Sequence, residues 1–189
     1  MNLVQYWKAF ENTFKEQLTN VTSDQYREAW KSSSNRTALY ERVILPSVAQ
    51  NLGLVFKSEE WKIDFTLCRD VNGYPVPEIF IESENVALSA HHEIRKLCCL
   101  SSPLKILIVC AEWSDREGDW PHGGLKYRLL EQWASIIKNH SKVWLNEGVT
   151  GIIVAEANAT LSFYSIAFDH FGEVVSDHSI IFERDIFAS

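Results

Sequence analysis

The sequence predicts an α/β fold in which helices flank a central mixed sheet. Three observations carry this expectation. The first fifty residues have helical apolar spacing, the stretch from Trp61 to Glu84 alternates with a period of two, and Leu104 to Cys110 is apolar throughout apart from Lys105. An unbroken apolar strand needs cover on both faces, and the surrounding helical segments supply that cover.

The elements follow in order. Leu3, Trp7, Phe10 and Phe14 recur at spacings of four, three and four, giving a first helix one apolar stripe. Thr22 and Gln25 have capping-box spacing and start a second helix carrying Tyr26 and Trp30. A third helix runs from about Thr37 to Leu52, kinked by Pro46 and ended by Gly53. Next, Trp61, Ile63, Phe65 and Leu67 alternate with Lys62, Asp64, Thr66 and Cys68, a half-buried strand with a polar face. Asn72-Gly73 predicts a hairpin. Its return strand, Glu78 to Glu84, sets Glu78, Phe80, Glu82 and Glu84 on one face. A helix over Ala90 to Leu100 precedes the buried strand. A polar loop with Ser114, Asp115, Glu117 and Asp119 follows that strand, then a helix over Leu125 to His140. Strands at Gly151–Glu156, Leu161–Asp169 and Val174–Phe182 end the chain. One domain over 1–189 results, with a helical part at 1–53, a core at 54–140 and terminal strands at 141–189.

Composition narrows the function. Hydrophobic residues make up 46% and aromatics 12%, enough for an ordinary core and too many for a disordered chain. A formal net charge of -7 gives no general attraction to nucleic acid or an anionic membrane, so such binding needs a local basic patch or a metal ion. The four cysteines lack zinc spacing and read as reduced, mostly buried thiols. Charges break the amino-terminal apolar pattern, and no segment reaches the length of a membrane span. The expectation is a cytoplasmic protein with no membrane partner.

Acidic groups inside a sheet are costly unless a cation meets them. A three-residue hairpin loop centred on Gly73 puts Asp64 directly opposite Glu82, whereas a two-residue Asn-Gly loop offsets them by one; both registers are open. In the first, the two acids could share Mg²⁺ or Mn²⁺, with Glu84 one pleat along as a third ligand. The competing account is a solvated face whose charges deter edge pairing, against which Phe80 on the same face argues. Adjacent His91-His92 point in different directions and read as surface residues.

This order of a helix, an Asp-bearing strand, an acidic strand, a helix and an apolar strand resembles the PD-(D/E)XK nuclease superfamily. The resemblance rests on Ile63-Asp64-Phe65, on Ile79-Phe80-Ile81-Glu82-Ser83-Glu84-Asn85 and on the Glu93/Lys96 helix, and it covers roughly residues 37–140. It implies a restriction-endonuclease-like core with added amino-terminal helices and carboxy-terminal strands, and Mg²⁺-dependent phosphodiester hydrolysis. By that likeness Asp64 and Glu82 are metal ligands and Glu41 the possible helical acid. Glu84 stands where the family has its lysine, which lets it hold a second metal or orient water. Lys96 is the replacement lysine, either catalytic or turned to solvent. Nucleic acid is then the implied substrate. The alternative is an inactive member of the same fold acting as a protein-binding module. The apolar run Ile180-Ile181-Phe182 fits either a homodimer interface or the core.

Overall fold

The computed structural model describes residues 2–115, 118–145 and 147–186. Glu117 of the polar loop lies outside them. Seven strands form one sheet in sequential order: β1 (Val55–Ser58), β2 (Phe65–Val71), β3 (Tyr74–Glu84), β4 (Leu104–Cys110), β5 (Val149–Ala157), β6 (Leu161–Phe168) and β7 (Val174–Arg184). The first three strands run antiparallel, β3, β4 and β5 run parallel, and β5 to β7 are antiparallel again. The fold is α/β with a mixed sheet between helical layers, as the patterning predicts.

Helices α1 (Leu3–Asn20), α2 (Ser23–Ala29), α3 (Ser33–Leu39) and α4 (Leu45–Asn51) cover one face. Asn2 caps α1 by accepting from the Val4 and Gln5 amides, and its stripe of Trp7, Phe10, Phe14 and Leu18 is fully buried. The contact is close: a Cβ on Gly151 of β5 would sit 2.1 Å from the Trp7 ring, so only glycine fits there. Thr22 and Gln25 form the expected capping box. The third helix departs from expectation. It starts earlier, at Ser33, and absorbs Pro46 through a π-turn at Tyr40–Ile44 immediately before α4. A π-turn spaces the backbone more widely, and the Leu45 amide donates to the Tyr40 carbonyl across it.

Helices α5 (His91–Cys98) and α6 (Lys126–Ser141) cover the other face, where Ile94, Leu97, Leu129 and Trp133 meet Phe80, Leu107 and Val154. β4, the middle strand, is buried on both sides, and its Lys105, itself only 3% exposed, donates to the Glu147 carbonyl at 3.2 Å. Burial holds that ammonium below its usual pKa.

Three strand expectations change. β2 begins at Phe65 rather than near Trp61, because Glu59, Trp61 and Lys62 adopt left-handed backbone angles (φ 55°, 55° and 61°) that no strand accommodates. Trp61 is consequently 55% exposed instead of inward. The expected polar face of β2 is also covered, since Thr66 and Cys68 are buried. At the other end of the chain Ile181 and Phe182 enter the core while Ile180 faces outward. Among the described residues no helix is long and apolar enough to cross a membrane.

Candidate metal and catalytic site

The site starts from a hairpin that uses both of the registers left open by the sequence. Asn72 and Gly73 have φ of 56° and 85°, the left-handed pair of a tight two-residue turn, and Asp70 accepts from the Gly73 amide at 2.8 Å. Strands β2 and β3 pair from that turn as far as Cys68 opposite Pro77, then slip by one so that Leu67 meets Ile79 and Phe65 meets Ile81. Glu78 is the extra residue of this β-bulge. The slip turns Glu78 away from the face shared by Phe80 and Glu82. Its carboxylate takes hydrogen bonds from Tyr6 of α1 and from Arg69. One step beyond Phe65, the register brings Asp64 to the Glu82–Ser83 segment, where its Oδ2 accepts from the Ser83 amide at 2.8 Å.

Glu82 is the centre of the group and is 1% exposed. Lys96, in the last turn of α5, brings its Nζ to 2.7 Å from Glu82 Oε1 and 3.6 Å from Glu93 Oε2. The 2.7 Å contact is a charge-assisted pair that occupies Glu82 Oε1, whereas Glu93 Oε2, at 3.6 Å, is buried without a hydrogen bond. Burial is the main cause that pushes Glu82 up to about 8, aided by the charge of Asp64 and by Glu93, and opposed by Lys96. Burial also raises Asp64, against the Ser83 amide and Lys96. At Lys96 burial acts to lower the pKa, but the contacts with Glu82, Glu93 and Asp64 outweigh it and raise the ammonium.

Of the residues singled out by sequence, the structure therefore gathers Asp64, Glu82 and Lys96. It leaves two aside. The Glu84 Oε1 accepts from the Val86 amide of its own turn at 2.9 Å. Glu41 belongs to the π-turn, whose Tyr40 and Ile44 pack into the core on the opposite sheet face, and it has no hydrogen bond or ion pair to the group. Glu93, which the sequence offers only as the helical companion of Lys96, joins the group as well. Its signal is the three-residue spacing to Lys96, which sets both on one helix face. The His91 and His92 rings lie 3.9 Å apart and tilted by 39° at the start of α5.

The donor set fits Mg²⁺ or Mn²⁺ in one respect. These ions take one or two carboxylates and keep several waters, and Asp64 with Glu82 offers such a pair, although Glu82 Oε1 is already ion-paired to Lys96. Among the described residues, however, no three His, Cys, Asp or Glu side chains converge as a ready metal cage.

A second buried glutamate lies beneath the polar loop beyond β4. Glu156, on β5, accepts from the Trp113 and Ser114 amides, the Ser114 hydroxyl, the Trp120 indole and the Tyr164 hydroxyl, at 2.5–2.8 Å. Burial alone would raise its pKa, but these donors hold it below the ordinary carboxylate value. Ser114 is thereby committed to a structural role. No protein-family model matches the chain, and no curated protein matches it either.

Proposed function

We propose that this protein is a Mg²⁺- or Mn²⁺-dependent phosphodiester hydrolase, a nuclease or nuclease-derived subunit of the PD-(D/E)XK kind. The observation that carries the proposal is the Glu82 carboxyl, 1% exposed and gathered with Asp64 and Lys96 at the end of β3. Two carboxyls so close in an interior are costly with only one ammonium beside them, and a divalent ion would add the positive charge they lack.

Asp64 and Glu82 would hold the ion, with Asp64 kept in place by the Ser83 amide. When bound there, a divalent ion supplies Lewis acidity and a lowered pKa for water. Lys96 reaches the pair from a helix, so it supplies the positive charge that the strand position of Glu84 cannot. Its side chain is 37% exposed, enough to meet a phosphate oxygen or orient the attacking water. Glu93 sets the direction of the ammonium from three residues away.

A second reading is an inactive relative that binds a protein partner. The close Lys96–Glu82 pair and the net charge of -7 favour it, because the lysine already occupies the acid and nothing general draws nucleic acid in. Two measurements separate the readings. Calorimetry should show Mn²⁺ binding by the wild type that is lost in Asp64→Ala and Glu82→Ala. Labelled single- and double-stranded DNA and RNA should be cut with Mn²⁺ and spared with EDTA. Equal Mn²⁺ binding by all three proteins would remove the site assignment, and an uncut panel would favour the binding module.

A further inference from the structure

The six residues between β1 and β2 form a tight loop at the sheet end that holds the acidic pair. β1 ends at Ser58, opposite Phe65, and Phe65 is opposite Ile81, so residues 59–64 sit beside the end of β3 that carries Glu82. The Glu59 amide donates to the Asp64 carbonyl at 2.9 Å, and the Ile63 amide to the Glu60 carbonyl at 3.0 Å. Three of the four described non-glycine residues with positive φ lie here, at Glu59, Trp61 and Lys62. That backbone presents Trp61 outward, 55% exposed, three residues from Asp64. Trp61 has no ring contact, and the exposed Lys62 beside it has no ion pair, among the described residues. On the chain leaving the pair, Val86 and Leu88 are also exposed. Both segments entering and leaving the acids thus offer apolar surface, next to one unpaired ammonium.

We infer that Trp61 is a substrate-positioning residue that stacks on an unpaired nucleobase, with Lys62 on the adjoining phosphate, so that the substrate is single-stranded nucleic acid or an unpaired end. This deepens the hydrolase reading and rests on it. Stacking on an indole needs a free base face, which a duplex conceals, and it supplies affinity that does not depend on net positive charge. An acidic protein gains more from that mode than from a basic groove. A loop already tied by its own backbone hydrogen bonds also keeps the ordering cost of the contact low.

The test uses the full chain. Anisotropy of a labelled oligonucleotide, single-stranded or duplex, is measured in EDTA, and steady-state cleavage in Mn²⁺, for wild type, Trp61→Ala, Trp61→Phe and Trp144→Ala. Trp144 is likewise exposed but lies after α6, away from the pair. The expected result is tighter wild-type binding to the single strand and roughly a tenfold loss in Trp61→Ala, the size of one lost base stack. The loss should fall on KM rather than kcat, be largely rescued in Trp61→Phe and be absent in Trp144→Ala. Preference for duplex overturns the inference. So does wild-type behaviour of Trp61→Ala while Asp64→Ala has lost cleavage, an outcome that leaves the hydrolase reading standing. A wild type that neither binds nor cuts any nucleic acid overturns both.

Discussion

Glu82 and Glu156 are both buried glutamates on central strands, and they are solved in opposite ways. Glu156 is 4% exposed and surrounded by five donors from the loop and from β6. Glu82 is 1% exposed and has a single ammonium, at 2.7 Å, with two more carboxyls nearby. The pKa shifts follow, downward for Glu156 and upward for Glu82. Burial is the largest influence in both cases, so the difference lies in the donors. Five neutral donors saturate Glu156 and stabilise its charge, whereas the charge of Glu82 depends on one ammonium.

The contrast can be broken or sharpened in four ways. Glu156→Ala strands two amides and an indole, and should cost about 3–5 kcal/mol, a fall in Tm of roughly 10 °C by calorimetry. A loss under about 1 kcal/mol would deny Glu156 its structural role. Mn²⁺ at a hundred times its Kd should add about 2.7 kcal/mol to the wild type and nothing to Glu82→Ala or Asp64→Ala, as read from Tm against metal concentration.

Glu82→Gln should stabilise the metal-free protein by about 1–2 kcal/mol at pH 8. The folded acid titrates near 8 and the unfolded one near its ordinary 4.5, so the folded state holds a proton that the unfolded state has lost between those values. Wild-type stability therefore falls as pH rises through that window, and glutamine removes the fall. Denaturant titrations at several pH values check this, and a gain that does not shrink toward pH 4.5 would contradict it. The smallest effect is Trp120→Phe. It removes one of five donors to Glu156 and should cost about 1 kcal/mol, with Mn²⁺ binding unchanged.

The layers of the fold were legible because periodicity reports burial directly. In β4 the unbroken apolar run marks its own ends, and the predicted span of Leu104 to Cys110 matches the strand residue for residue. The Asp64–Glu82 pairing was half legible. Asn72-Gly73 specified the tight turn, but the slip at Glu78 depends on how the two strands pack, and no local residue announces it. Trp61 misled because alternation continued through a segment whose backbone turns left-handed, a choice set by the closing bond from Glu59 to Asp64. Lys96 and Glu93 were visible as a pair, whereas the direction of their helix face required the tertiary structure. The saturation of Glu156 joins residues up to 43 positions apart, beyond the reach of any local pattern.

The sheet consists of two antiparallel meanders, β1–β3 and β5–β7, joined through β4 by parallel pairing. Each meander closes short loops, while the parallel pairs must wait for α5 and the long α6 connection to be laid down. Folding kinetics should reflect this, with the hairpins forming early and β4 docking late. Asp64 and Glu82 meet within the first meander, but Lys96 arrives only with the crossover helix. During folding the two acids are thus neighbours before their counter-charge is in position, and a divalent ion supplied at that stage should speed the docking of β4.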